Sequence, residues 1–122
     1  IKERALALAD AHKLSIEMAL SMGVKVVAGT DAGGFVHGDN AREIELLVEK
    51  GLTTMQAIQA ATGWAAECIG LDADVGSVEP GKYADLLVID GDPLAEIGVL
   101  RDRDRIKMVM KGGEAFVDRM GD

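Results

Sequence analysis

The chain has 122 residues, the size of one compact domain, and its hydrophobic fraction of 48% is sufficient for a core. Aromatic residues make up 3%, so that core is expected to consist of Ala, Val, Leu, Ile and Met side chains. The formal charge of −8 argues against nucleic acid and against an anionic membrane surface as partners, and no apolar run approaches the roughly 20 residues that span a membrane.

Location and completeness can also be predicted from the sequence. Cys68 is the single cysteine, so an internal disulfide cannot form, which fits a reducing cytoplasm. The start of the chain shows no signal-peptide pattern. The first residue is Ile1 rather than Met, and it leads directly into a helical pattern, so we expect the chain to be a fragment.

A long helix and a buried strand are predicted first. Lys2 to about Met22 forms one amphipathic pattern, whose additional leucines predict that much of the helix is covered. Gly23 ends it, and Val24–Ala28 is an apolar, β-branched run of strand length. Asp31 then lies where a parallel strand would end, at the edge where α/β folds place their chemistry.

Capping motifs predict helices after a glycine-rich loop over Thr30–Gly38. Asn40 with Glu43 forms a potential capping box, as does Thr53 with Gln56. Leu52 precedes the second box and can pack onto Ala57 as a hydrophobic staple. The helices that follow the loop, the last of them over Trp64–Ile69, are expected to end near Gly51, Ala61 and Gly70.

The character of the chain changes from Asp72, towards turns and short strands. Glu79-Pro80-Gly81-Lys82 suits a type II turn, and Gly112-Gly113 suits a two-residue hairpin. Strands are predicted over Ala84–Ile89, Ile106–Met110 and Ala115–Val117, with a helical turn or two in Leu94–Leu100. We therefore expect a helix-and-parallel-strand layer in residues 1–71 and a small, mostly antiparallel β region in residues 72–122.

Several stretches, taken in order, form a pattern that covers nearly the whole chain. The first is Val26-Val27-Ala28-Gly29-Thr30-Asp31-Ala32-Gly33. The others are His37–Asn40 with Glu43 and Leu46, Gly51–Ile58 with Ala60–Thr62, Gly76–Val88, Asp90–Leu94 and Val109–Gly113. Together they resemble the C-terminal end of enzymes of the amidohydrolase superfamily. The resemblance is closest to imidazolonepropionase-like enzymes and to Xaa-Pro dipeptidase or prolidase-type enzymes.

The resemblance implies a fold class. It is α/β: the last strand and flanking helices of a (β/α)₈ TIM barrel, plus the C-terminal strands of a small β-sandwich domain. The barrel alone requires roughly 250 residues. The family's H-x-H motif and its later metal-binding histidines or lysine would lie upstream of Ile1, and neither His12 nor His37 stands in an H-x-H pattern.

The resemblance also implies the site residues. Asp31 would be the metal ligand at the end of the eighth strand and the catalytic base that takes a proton from the attacking water. The residues alone allow another interpretation, a structural Asp that caps the turn at Gly33 and Gly34. His37, Gly33 and Gly34 would contact substrate or orient Asp31. Equally, His37 can be a solvent-exposed loop residue and the glycines can simply form a turn.

Other conspicuous residues favour structural interpretations. His12 is expected to be a packed or interface histidine, and Cys68 a small core residue. Trp64 is interpreted as a packing anchor between helices, and Asp85 as a pairing residue at a strand end. The alternating charges of Arg101–Arg105 predict a solvated surface that pairs with itself.

The implied function is hydrolysis of a C–N bond in a small amide, peptide or cyclic amide, with a water activated by a divalent metal. Zinc is expected, because its catalytic sites usually combine three protein ligands with water. With one obvious ligand, the isolated chain is expected neither to hold catalytic metal nor to turn over substrate. One alternative is a non-catalytic, self-associating α/β module, a homo-oligomer that covers the edges of its single buried strand. The other is a proteolytic or cloned piece without an independent role.

Overall fold

The computed structural model describes residues 2–33 and 36–121, with side chains from residue 8 onward. Its elements are helices α1 (Lys2–Ser21), α2 (Ala41–Glu49), α3 (Thr54–Ala61) and α4 (Gly63–Cys68), strand β1 (Leu86–Ile89), a 3₁₀ helix (Ile97–Arg101), and strands β2 (Ile106–Lys111) and β3 (Glu114–Asp118). Helices therefore come first along the chain and strands follow. Of the helices in the described ranges, none combines the length and the apolar content required to cross a bilayer.

Helix α1 ends as the sequence predicts but is covered less than expected. Gly23 has a φ of +76°, and the amide of Val24 donates to the carbonyl of Ala19 at 2.9 Å. Glycine adopts this left-handed conformation without Cβ strain, which confirms the predicted helix end. Ile16 and Leu20 pack on the core. The prediction that much of α1 is covered is wrong for its described side chains, since several are more than half exposed: Leu8, Leu14 and Met18.

The segment Val24–Ala28 was predicted to be a strand, and this prediction is wrong. In the described part of the chain it belongs to no sheet. Val26 and Ala28 pack against the core, and the amide of Ala28 donates to the carbonyl of Ala60 at 2.9 Å. A parallel strand requires a parallel neighbour for its hydrogen bonds, and the described residues supply none. The apolar pattern therefore identified where this segment packs, but not how its backbone is bonded.

The core lies between α2 and α3. Its buried residues are Leu47, Leu52, Ala57 and Ala60, and Trp64 packs against them as predicted. Leu52, 3% exposed, directly precedes the cap of α3 and shares this cluster with Ala57. That arrangement is the one a hydrophobic staple produces, and it sets the angle at which the chain enters α3.

The two predicted capping boxes have opposite outcomes. Thr53 Oγ1 accepts from the amide of Gln56 at 3.1 Å, and Gln56 Oε1 accepts from the amide of Thr53 at 2.9 Å, which confirms that box. The box at Asn40 is wrong: within the described structure the Asn40 side chain makes no capping bond. Asn40 has helical φ and ψ angles of −62° and −28°, whereas a capping side chain normally requires an extended backbone.

The second half of the chain forms a three-stranded antiparallel sheet in the order β1-β2-β3. Gly112 and Gly113 join β2 to β3 with φ angles of +58° and +85°, as a two-residue type I′ hairpin requires. Asp85 Oδ1 accepts from the amide of Gly112 at 2.7 Å, which confirms its pairing role. The type II turn is also confirmed, since Gly81 has a φ of +93° and Lys82 N donates to Glu79 O at 3.3 Å.

The 3₁₀ helix connects the two halves. The helical turn predicted in Leu94–Leu100 forms slightly later, at Ile97–Arg101. Val99 on this helix is 3% exposed, and the helix packs against α2. Thr54 Oγ1, at the start of α3, also donates to the carbonyl of Leu94 at 2.9 Å. These contacts bring the C-terminal part of the chain next to the loop that precedes α2.

Candidate active-site loop

Asp31 follows the core-packed segment and has an unusual backbone. Its φ is +46°, the one positive φ of a non-glycine residue in the described ranges, and the residue is exposed. This left-handed conformation costs an ordinary residue about 1–2 kcal/mol, although Asp tolerates it better than most. The hydrogen bond from Ala28 to Ala60 anchors the chain three residues earlier. The carboxylate is thus presented to solvent at the end of an anchored segment.

The other predicted site residues lie on the same loop. Gly33 and His37 are both exposed, and Gly34 lies outside the described residues. A Cβ added to Gly33 would lie 4.0 Å from the carbonyl oxygen of Asp31, so this turn leaves room for a side chain. Among the described residues, no hydrogen bond joins the Asp31 carboxylate to the His37 ring. The loop thus carries the predicted groups without a hydrogen bond between the described side chains of Asp31 and His37.

The described side chains do not provide a complete set of ligands for a metal ion. In the described ranges, no group of three or more His, Cys, Asp and Glu residues is arranged to hold a metal ion. A catalytic zinc normally takes three protein ligands and a water. The exposed carboxylate of Asp31 is the right type of ligand, but it supplies one donor, so the described residues by themselves do not make a zinc site.

An ion-pair network beside the loop was missed by the sequence analysis. Arg101 Nε and NH2 donate to the two carboxylate oxygens of Asp39 at 2.9 and 2.8 Å, and Arg101 NH1 donates to Glu45 at 3.0 Å. Arg42 NH1 donates to Glu45 at 2.7 Å and to Glu49 at 2.9 Å. The prediction that Arg101–Arg105 pairs with itself is therefore wrong for Arg101. The pairing joins residues 62 positions apart, so no local spacing could reveal it.

The network shifts the titration of its members in the expected directions. The hydrogen bond from Arg101 holds the pKa of Asp39 below its usual value, and the positive charges of Arg103 and Arg42 act in the same direction. Hydrogen bonds to Asp39 and Glu45 raise the pKa of Arg101, and hydrogen bonds to Glu45 and Glu49 raise that of Arg42. Asp39, Arg42 and Arg101 are consequently charged at neutral pH.

A separate cavity of about 350 Å³ lies beside α4. Its lining includes Trp64, Glu67, Ser77, Glu79 and Lys82, and neither Asp31 nor His37 is part of it. Lys82 Nζ donates to Ser77 Oγ at 2.6 Å, and Ser77 Oγ donates to Glu79 Oε1 at 2.9 Å. Lys82, Ser77 and Glu79 are thus engaged with one another, and the cavity lies apart from the predicted site residues.

Two structural interpretations are corrected by the exposure of the side chains. Cys68 is exposed at the end of α4, so it is not a core residue. Its position is the last of a six-residue helix whose buried face is provided by Ala66. His12 is exposed on α1, so it is not packed within the described chain. The core interpretation of Cys68 is therefore wrong, and of the two interpretations of His12 the interface role stays a prediction.

Comparison with known proteins identifies the family. The chain matches the amidohydrolase family over residues 4–116. It is 35% identical over 112 residues to ochratoxinase of Aspergillus niger, covering 90% of this chain and 23% of that protein. It is 37% identical over 67 residues to imidazolonepropionase of Geobacillus thermodenitrificans, covering 55% of this chain and 16% of that protein.

Solved structures agree. The A. niger ochratoxinase structure matches with a TM-score of 0.82 and 34% identity, over 93% of this chain and 26% of that one. A Xaa-Pro dipeptidase with methionine bound in its active site matches with a TM-score of 0.78 and 37% identity, over 86% of this chain and 25% of that one. The chain thus spans about a quarter of the length of these relatives. With the match over residues 4–116, these similarities establish that the chain belongs to the amidohydrolase family.

Proposed function

We propose that this chain is the part of a metal-dependent amidohydrolase that carries its last metal-binding carboxylate. The complete enzyme hydrolyses a C–N bond in a small amide, peptide or cyclic amide. Residues 1–71 contribute the last helices of the barrel and the segment Val24–Ala28, which joins no sheet in the described structure and would pair as the last barrel strand beside a neighbouring strand of the complete enzyme. Residues 72–122 contribute strands of the smaller β domain. The observation that carries the proposal is the exposed Asp31, held in a left-handed conformation at the end of a core-packed segment in an amidohydrolase chain.

The chemistry assigned to Asp31 follows from its carboxylate. A bound divalent metal, for which we propose zinc, would polarise the carbonyl of the substrate and acidify a water. Asp31 would be one of its ligands and would accept a proton from the attacking water, which a carboxylate beside a cation can do. His37 contacts the substrate from the same loop. The donors that complete the metal site come from outside residues 1–122, and the isolated chain neither binds zinc tightly nor turns over substrate.

Substitution of Asp31 by Asn tests the assignment in a protein that joins these residues to a complete barrel. Asn accepts the left-handed conformation but is a poor base, so hydrolysis of a dipeptide should fall about 10²- to 10⁴-fold without loss of folding. The matched control is Asp104→Asn, which changes an exposed carboxyl group elsewhere and should leave the rate unchanged. An unchanged rate in Asp31→Asn would contradict the proposal, as would tight stoichiometric zinc with hydrolysis in the 122-residue chain.

The second candidate is a non-catalytic, self-associating α/β module. Its supporting observation is the exposure of large apolar side chains on and after α1, with Leu8 71% and Met22 77% exposed. Sedimentation of the 122-residue chain at micromolar concentration decides it: a homo-oligomer supports the module, and a folded monomer contradicts it. The coding sequence before Ile1 provides an independent test, because an in-frame H-x-H on a predicted strand supports the enzyme.

A further inference from the structure

Arg101 forms ion pairs with two acidic residues from the first half of the chain. Its guanidinium meets both carboxylate oxygens of Asp39, at 2.9 and 2.8 Å, and reaches Glu45 at 3.0 Å with its remaining nitrogen. Such a planar fork fixes orientation as well as distance, which a lysine ammonium cannot do. Glu45, with 17% of its side chain exposed, is itself held by Arg42. The three hydrogen bonds from Arg101 therefore fix the orientation of its guanidinium against the two carboxylates.

Asp39 connects the ion pairs of Arg101 to the candidate active-site loop. It lies two residues after His37, its amide donates to Val36 O at 3.4 Å, and its carbonyl accepts from Arg42 N at 3.1 Å. We call Val36–Asp39 the His37 segment. Because its last residue is bonded through both side chain and backbone, holding the Asp39 carboxylate holds the His37 segment against the start of α2.

The 3₁₀ helix is built to present Arg101. Val99, 3% exposed, anchors that helix two residues before Arg101. A Cβ added to Gly98 would lie 3.1 Å from Glu45 Oε1, so this position allows the helix to approach α2 more closely than a larger residue would. The contact with Asp39 and Glu45 is thus supported by the burial of Val99 and by the close approach to α2 at Gly98.

Exposed single ion pairs contribute little to stability. Here the pairing is bidentate, joins several charges, and links residues distant in sequence to a loop of the site. We propose that Arg101 is a positioning residue that sets the location of the His37 segment for substrate binding. The substrate-binding part of this inference rests on the proposed function, whereas the positioning of the segment does not.

Amide hydrogen exchange of the 122-residue chain tests the positioning directly. In Arg101→Gln the amides of Asp39 and Arg42 should exchange about threefold to fivefold faster, as expected for loss of an exposed network. Arg101→Lys should give an intermediate increase, because the charge remains but the fork is lost. Gly98→Ala, which displaces Glu45, should shift exchange in the same direction by less. Amides of β2 should be unaffected, which shows that the fold is retained.

The matched control is Arg105→Gln. Arg105 belongs to the same charged run but forms only an exposed 3.9 Å pair with Asp102, so exchange at Asp39 should not change. Equal exchange in the wild type and Arg101→Gln would overturn the inference, as would an equal effect of Arg105→Gln.

The link to substrate is tested separately in a protein with the complete barrel. Arg101→Gln should raise KM for a dipeptide severalfold with little change in kcat, because the bound position of His37 is affected and Asp31 is not. A change in kcat alone would overturn the role in substrate binding. If the wild type hydrolyses no small amide, peptide or cyclic amide, the proposed function fails, and the exchange measurements still decide whether Arg101 positions the segment.

Discussion

Two segments with the same apolar, β-branched character reach different structures in this chain. Leu86–Ile89 is strand β1 and pairs along its length with β2, whereas Val24–Ala28 belongs to no sheet in the described part of the chain. The difference is the supply of partners. The connection through the 3₁₀ helix brings β2 antiparallel to β1, and the hairpin at Gly112-Gly113 adds β3 to the other edge of β2.

The packing of the two segments differs in the opposite direction. Val26 and Ala28 lie against the core of α2 and α3, while Leu87 in the regular strand is 57% exposed. Apolar contact and backbone pairing are therefore separate requirements. Val24–Ala28 has more of the apolar contact, and Leu86–Ile89 has more of the backbone pairing. The lesson is that a strand pattern predicts an apolar contact more directly than it predicts a ladder of hydrogen bonds.

Truncating one side chain beside each segment should lower the free energy of unfolding by different amounts, and this comparison has the largest expected effect. Leu52→Ala removes a 3% exposed side chain beneath Val24–Ala28 and should lower the free energy of unfolding by about 2–5 kcal/mol. Leu87→Ala, in the exposed strand position, should cost about 1 kcal/mol or less. Urea denaturation measures both. Equal losses of unfolding free energy in the two variants would contradict the difference in packing between the two segments.

The caps of the helices give a smaller, matched effect. Thr53→Ala removes the capping-box bond that the Gln56 amide donates to Thr53 Oγ1 and should cost about 0.5–2 kcal/mol. Because α3 carries the Ala60 carbonyl that accepts from Ala28, exchange at the Ala28 amide should also accelerate. Asn40→Ala should leave stability nearly unchanged, since the described Asn40 side chain makes no capping bond. A comparable loss in Asn40→Ala would contradict the assigned difference between the two caps.

The smallest effect concerns pH and the contact between the halves. The pKa of Asp39 is lower in the folded chain than its ordinary value of 3.8, chiefly because of the Arg101 hydrogen bond. Its stabilising contribution is therefore complete above that ordinary value and is lost as pH falls through the folded pKa. Carboxyl NMR titration should show the pKa rising in Arg101→Gln. Asp39→Asn should differ in stability from the wild type at neutral pH and converge with it in acid.

Local chemistry explains what could be predicted. The helix end at Gly23, the box at Thr53, the turn at Gly81 and the hairpin at Gly112-Gly113 each depend on a few adjacent residues, and all four form as expected. Asp31 was singled out because a carboxylate follows an apolar run, and its positive φ adds a feature that the sequence did not indicate.

The sequence by itself thus determined the family, the local turns and caps, and the segment that packs on the core, because motifs and short-range bonds are encoded by neighbours. Only the tertiary structure decided that Val24–Ala28 joins no sheet and that Asn40 makes no capping bond among the described residues, that Cys68 is exposed and that Arg101 pairs with Asp39. Each of these depends on which distant residues are present to bond or cover a group. That information is held by the assembled chain and not by the spacing of residues within a segment.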